Sequence, residues 1–355
     1  MSMVKATKRL RLVLVALICA LALVLAGCVA KEEQSQPAQD SPQATEDATG
    51  VVAPSTTGKL QVIGAQLSSQ AGDPVQLRGV STHGLSWFPQ YVNQEFFTEL
   101  REDWGVNVVR LAMYTAEYGG YCTGGDKAAL EQLVIDGVNY AQNADLYAVV
   151  DWHILSDADP NIHITEAKHF FEKMSAEFAD KDNVIYEICN EPNGATTWGQ
   201  ITAYAETIIP IIRANDPDAV IIVGTPTWSQ RIDEAALDPL PFENIMYTLH
   251  FYAAEHKQDL RERLEATVKA GVPVFVTEFG ITEASGDGKI DYDSAAAWIK
   301  LMDELDVSYI CWNLSNKDEA SAMFLDTCDK TSGFTSDDLS DEGKWLVDTL
   351  DFPGI

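Results

Sequence analysis

The sequence predicts a (β/α)8 barrel, the TIM-barrel fold, preceded by a signal peptide and a disordered linker. Three observations predict it. From Leu77 onward, short β-branched apolar runs alternate with amphipathic stretches. The alternation repeats eight times in roughly 290 residues, the size of such a barrel. Each run also ends on polar or aromatic residues, as expected where strand ends converge on one mouth.

Composition is consistent with this reading. Of 355 residues, 46% are hydrophobic and 22% charged, with 23 Gly and 14 Pro, which excludes a disordered chain, a collagen-like rod and a multi-span membrane protein. Lys and Arg number 24 against 54 Asp and Glu, a net charge of −30. Loss of a leader carrying Lys5, Lys8, Arg9 and Arg11 leaves 20 bases against those 54 acids, or −34. Such a surface repels phosphate backbones and anionic lipid, so nucleic acid is excluded as a partner, whereas a neutral substrate meets no such penalty.

In chain order, residues 12–27 form an uncharged run of sixteen behind a basic start, too short for a comfortable bilayer span. Leu25-Ala26-Gly27-Cys28 resembles the bacterial lipobox, in which the Cys is diacylated and becomes the mature N-terminus. This implies a lipoprotein signal peptide over 1–27 and membrane attachment through Cys28 on the outer side of the cell, or secretion if the lipobox reading fails. Residues 31–58 are rich in Ser, Thr, Pro, Gln and acids and have no aromatic. They cannot bury a core, so 28–58 is expected to be a flexible linker and 59–355 the catalytic barrel.

Strands are expected near 77–83, 106–114, 147–153, 183–191, 219–228, 244–252, 273–280 and 308–315. Their near-continuous apolar cores suit parallel strands covered on both faces. Helices fill the gaps. Asn93 is placed to cap one that shows Phe96, Phe97, Leu100 and Trp104, with Gly105 closing it. Asp126 opens a second, with Leu130, Leu133, Val134 and Tyr140 on one side. Phe170, Phe171, Met174 and Phe178 mark a third, and Ile201, Tyr204, Ile208 and Ile212 a fourth. A doubly wound open sheet is disfavoured because no Gly-rich phosphate loop follows any strand.

Two strand ends carry the chemistry. Asn190-Glu191-Pro192 closes the fourth strand and Thr277-Glu278-Phe279-Gly280 the seventh, which face one another across a barrel. Paired carboxylates are what glycoside hydrolysis needs: one protonates the leaving oxygen, and the other attacks or stabilises the anomeric carbon. Glu187 shares the alternation phase of Glu191 and so points into the lower barrel, where it needs a cationic partner; Arg78 is the candidate.

His83, Leu111-Ala112-Met113-Tyr114, Asp151-Trp152-His153, Tyr186 through Asn193 (YEICNEPN), Val276 through Gly280 (VTEFG) and Ile310 through Leu314 (ICWNL) resemble glycoside hydrolase family 5. The resemblance runs over residues 59–352 and is strongest to the family's bacterial endo-β-1,4-glucanase (cellulase) branch. It implies Glu191 as general acid/base and Glu278 as nucleophile in a retaining, double-displacement reaction on internal bonds of cellulose or related β-glucan. It further implies that Asn190 bonds the sugar 2-hydroxyl and that Arg110 and Tyr252 hold Glu278 ionised by charge and hydrogen bond. His250 and His153 would orient the sugar and the carboxylates, with Trp312 as the floor under the −1 sugar. His83, Trp87, Tyr114, Lys317 and Glu319 match the glycone side of the cleft, and Trp198 is expected to stack an aglycone sugar. A mannanase, mixed-linkage glucanase or xyloglucanase on the same barrel is the alternative, and a non-catalytic surface glycan-binding protein the one of different class.

No HxxxH or CxxC spacing occurs, and Gly286-Asp287-Gly288 lacks the ligand spacing of a calcium loop, so no metal and no cofactor are expected. No protein partner is implied. Cys122 and Cys328 fall in loops on the same face, and an extracytoplasmic location would permit a bridge between them.

Overall fold

The computed structural model describes residues 51–349. The leader, Cys28, residues 28–50 of the linker and residues 350–355 lie outside the described residues. At the start, β1 (Gln61–Ile63) and β2 (Gln66–Ser68) make a small antiparallel ribbon. Eight parallel strands then close into a barrel: β3 (Arg78–Thr82), β4 (Val108–Tyr114), β5 (Tyr147–His153), β6 (Val184–Glu187), β7 (Val220–Val223), β8 (Ile245–Tyr252), β9 (Val274–Gly280) and β10 (Tyr309–Leu314), with β10 pairing back onto β3.

A single helical turn, α1 (Pro54–Thr57), precedes the ribbon. The larger helices between strands are α2 (Gln94–Glu102), α3 (Lys127–Asn143), α4 (Ile164–Glu177), α5 (Trp198–Asn215), α8 (Gln258–Lys269) and α9 (Tyr292–Glu304). Shorter ones are α6 (Pro226–Ser229), α7 (Ile232–Leu237) and the closing α10 (Asp341–Thr349). The predicted caps form. Asn93 Oδ1 accepts from Phe96 N at 2.8 Å and Asp126 Oδ1 from Ala129 N at 3.1 Å, each satisfying a donor that the first turn leaves open. Thr197 and Gln200 add a reciprocal capping box to α5. On α2, Phe96, Phe97 and Leu100 are fully buried, about 1.5–3 kcal/mol of apolar transfer each.

The barrel interior is layered. Val108, Tyr147, Val149, Ile185, Ile222, Phe275 and Ile310 plug its lower half. A polar layer containing Arg110, Asp151, Glu187, Thr248 and Thr277 lies above the plug, every member fully buried. Ala112, Tyr114, Tyr252 and Trp312 form the next layer. Polar chemistry is thereby confined to the C-terminal ends of the strands, where this fold builds its sites.

Three boundaries differ from the sequence reading. Residues 51–58 do not behave as linker: α1 sits under the barrel, with Ala53 buried, Ser55 N bonded to Asp145 Oδ1 at 2.9 Å and Thr57 Oγ1 2.6 Å from Tyr147 OH. The fourth barrel strand ends at Glu187 and not at 191, and the fifth ends at Val223 and not at 228. Just past both ends the two chains run close together, so that a Cβ at Gly224 would meet Cys189 O at 2.2 Å.

Candidate active site

Glu191 follows β6 and Glu278 lies on β9, and both face a cleft of about 720 Å³ at the barrel mouth. Glu191, His250 and Glu278 each bring one donor atom within 4.8 Å of the others. Hydrogen bonds within the protein tie this set together. His250 is engaged through both ring nitrogens, Nδ1 to Glu191 Oε1 and Nε2 to Thr277 Oγ1, each at 2.9 Å. Burial pulls the His250 pKa down, yet hydrogen bonding to Glu187 and Glu191 and the charge of Glu278 raise it to about 9.

Glu278 receives two donors: Tyr252 OH to Oε1 at 2.8 Å and Arg110 Nη1 to Oε2 at 3.2 Å. The same guanidinium reaches Glu187 Oε2 from Nε at 2.7 Å, Asn190 Oδ1 from Nη2 at 2.6 Å and Asp151 Oδ2 from Nη2 at 3.0 Å. Arg110, not Arg78, is therefore the partner of Glu187. Arg78 stands at the start of β3 and pairs with Asp303 at 3.1 Å. Burial opposes charge on Glu187, but Arg110 and His250 outweigh it and hold the carboxyl down at about 2. Asp151 goes the other way. Burial, with the charges of Glu187 and Glu278, pushes its pKa well above the ordinary range against the pull of Arg110. Although the pair is close, we assign Asp151 the raised direction because three carboxylates share one guanidinium and its Oδ1 has no partner among the described residues.

Asp151 Oδ2 also lies 2.6 Å from His153 Nδ1, while His153 Nε2 faces Asn190 Nδ2 at 3.2 Å. Burial and nearby Arg110 lower the His153 pKa to about 3, so the ring is neutral, with its proton on Nδ1 and Nε2 accepting. His153 stacks on Trp312 with ring centres 5.2 Å apart and planes 17° from parallel. At one end of the cleft His83, Trp87 and Tyr114 pack together, Trp87 and Tyr114 at 4.7 Å between centres. Lys317 Nζ is 2.5 Å from Glu319 Oε2, and Glu319 Oε1 is 3.8 Å from His83 Nε2.

His83, Trp87, Tyr114, His153, Glu191, His250, Tyr252, Glu278, Trp312, Lys317 and Glu319 all line the cleft. Three of the expected site residues do not line the cleft. Arg110 and Asn190 are fully buried beneath the cleft floor. The Asn190 amide is moreover committed within the protein, Nδ2 to Ile154 O at 3.1 Å and to His153, so a bond to a sugar would have to replace one of these. Trp198 is the first residue of α5 and turns inward, its Nε1 donating to Asp238 O at 2.9 Å and its ring set edge-on to Tyr247.

A further indole on the cleft wall, beside those of Trp87 and Trp312, is Trp228, 45% exposed. Thr227, Trp228 and Ser229 all have left-handed φ, between 52° and 61°, which turns the indole outward. Glu117, Leu155, Gln230, Glu255 and His256 also line the cleft, and sequence reasoning misses them. Their only signal is position just beyond a strand end. Cys122, Cys189, Cys311 and Cys328 are all free thiols, so the bridge between Cys122 and Cys328 does not form.

The sequence model of cellulase (glycosyl hydrolase family 5) matches residues 68–318. Endoglucanase A of Butyrivibrio fibrisolvens is 47% identical over 296 residues, 82% of this chain and 68% of that protein. An endoglucanase of Clostridium saccharobutylicum is 46% identical over 296 residues, 82% of this chain and 65% of its own length. The chain thus spans about two thirds of the length of these relatives. The catalytic domain of a Thermobifida fusca endoglucanase, solved with cellotetraose, superposes with a TM-score of 0.80 at 39% identity, over 83% of this chain and 98% of that one. Shared sequence over most of the barrel, and two glutamates from facing strands at its mouth, lead to one assignment: the chain belongs to glycoside hydrolase family 5.

Proposed function

We propose that the chain is a retaining endo-β-1,4-glucanase acting on cellulose or related β-glucans. One observation carries the mechanism: an oxygen of Glu191 lies within 4.8 Å of an oxygen of Glu278. Inverting enzymes hold their carboxyls about 6.5–9.5 Å apart to seat a water, whereas retaining enzymes hold them about 5–5.5 Å apart. Glu278, fixed by Tyr252 and Arg110, attacks the anomeric carbon while Glu191 protonates the departing oxygen. Glu191 then takes a proton from water, which displaces Glu278 and restores the β configuration. The His250 imidazolium donates to Glu191 throughout, and Trp312 offers an aromatic face to the apolar face of the −1 pyranose. Named relatives that are endoglucanases, and a similar domain solved with cellotetraose, support a glucan substrate.

The test is stereochemical. Proton NMR of the first sugar released from a soluble β-1,4-glucan should show the β-anomer; the α-anomer first would overturn both carboxylate roles. Carboxymethylcellulose should lose viscosity quickly, and loss on mannan alone would overturn the substrate class.

Location is read from the lipobox. Cys28 is the proposed lipid attachment point on the outer face of a bacterial cell. A Cys28→Ala variant should stay unprocessed or leave the membrane fraction with unchanged activity per molecule, and a processed, cell-bound variant would refute it.

A further inference from the structure

The residue before the nucleophile has no part in the mechanism above. Thr277 lies on β9 and is fully buried. Its hydroxyl makes three contacts: Glu187 Oε1 at 2.7 Å, His250 Nε2 at 2.9 Å and Thr248 Oγ1 at 2.6 Å. A hydroxyl has one proton and two lone pairs, so it donates one of these bonds and accepts the other two.

Charge decides which bond is donated. Glu187 is held ionised by Arg110, whose Nε reaches its Oε2 at 2.7 Å, and an ionised carboxylate only accepts. Thr277 therefore gives its proton to Glu187. Thr248 Oγ1 accepts from Thr277 N at 3.2 Å and turns its own proton to the Thr277 hydroxyl. His250 must then present an N–H at Nε2, which leaves Nδ1, 2.9 Å from Glu191 Oε1, as the nitrogen that faces the acid/base.

The hydroxyl is the bridge between ring and carboxylate, because Nε2 itself stands 3.8 Å from Glu187 Oε1, beyond hydrogen-bond reach. The charged and titratable groups around the ring are Glu187 and Glu191 from β6 and the chain after it, Glu278 from β9 and Asp151 from β5, with Arg110 of β4 behind Glu187. The carboxylates among them favour an imidazolium, and Thr277 supplies the acceptor that its Nε2 proton needs.

We propose that Thr277 is a positioning residue for the acid/base: by bonding Glu187 it fixes His250 as an Nε2–H donor and so aims Nδ1–H at Glu191. An unbroken chain of hydrogen bonds then runs from Glu191 through His250, Thr277, Glu187 and Arg110 to Glu278. The proposal deepens the glucanase reading above and rests on it for the role of Glu191.

The test compares full-length wild type, Thr277→Val and Thr277→Ser by NMR of the histidine rings and by kinetics. In the wild type at neutral pH both ring nitrogens of His250 should carry a proton, and a bare Nε2 overturns the proposal without any variant. In Thr277→Val the ring should give up its proton at a pH lower by about 1 to 2, since a hydrogen bond to a charged group is lost. Thr277→Ser keeps the hydroxyl and should titrate like the wild type. In Thr277→Val, kcat/KM should fall about 10-fold on cellohexaose and about 3-fold or less on dinitrophenyl cellobioside, whose leaving group needs no proton. An unmoved titration, or equal losses on both substrates, overturns the positioning role. If Thr277→Val does not fold, Thr277→Ala removes the same hydroxyl and is read the same way. A wild type that cleaves neither substrate defeats the glucanase reading, whereas the ring titration still decides the hydrogen-bond assignment.

Discussion

Deprotonating His250 should weaken the fold above neutral pH, by an amount set by its surroundings. The ring is 1% exposed and lies between Glu191 Oε1 at 2.9 Å and Glu187 Oε1 at 3.8 Å. Burial alone would lower its pKa; the neighbouring carboxyls reverse that and raise it from 6.5 to about 9. The folded protein therefore keeps a proton that the unfolded chain releases. The resulting stability is fully present below pH 6.5 and is lost as pH rises through about 9. At about 1.36 kcal/mol for each tenfold change in proton affinity, that rise is worth about 3 kcal/mol, a sizeable part of a typical unfolding free energy. His83 and His153 act on the acid side: burial lowers both to about 3, so the unfolded chain takes up protons that the fold refuses, and stability falls as pH drops below 6.5. Urea unfolding at pH values across these windows should show a histidine-linked maximum near pH 6.5, with the alkaline decline removed in His250→Asn. A wild type equally stable from pH 6.5 to 9, or the same decline in the variant, would refute the assignment.

Arg110→Lys leaves an ammonium that cannot span Asp151, Glu187, Glu278 and Asn190; it should cost about 3–5 kcal/mol in thermal unfolding and lower kcat together with it. Gly280→Ala places a Cβ 2.7 Å from the Tyr252 ring and should push the phenol off Glu278, lowering kcat about 10-fold with little change in KM; unaltered kcat would show that the ring gives way without loss. Alkylation of the denatured chain without reductant, followed by mass analysis, should label all four thiols in residues 51–349.

Most of the barrel is legible because a parallel strand buried on both faces writes itself as an apolar run, as Ala148, Val149 and Val150 do in β5, and because its exit residue breaks that run, as Asp151 does there. The paired glutamates are legible for the same reason: both stand where the run ends. What cannot be read is whatever depends on which side chains meet. Arg78 and Arg110 both sit on strands, and only the register, with Arg110 opposite Ser81 and Val149, sets the latter at the height where Asp151 and Glu187 converge. Trp198 and Trp228 differ by backbone alone. An N-terminal helical turn hides the first, and three consecutive left-handed residues, none of them glycine, expose the second without any local sequence signal. The end of the polar linker misleads because α1 is held by individual hydrogen bonds to Asp145 and Tyr147 and not by an apolar stripe.

One guanidinium serving Glu278, Glu187, Asp151 and Asn190 has a consequence for how such a barrel changes over generations. None of these positions can drift alone, since altering one acid shifts the proton and the contacts of the others. A change at one of them therefore calls for a matching change at the others. Variation in substrate preference is then left to residues that line the cleft from loops above the cluster, such as Gln230 and Trp228.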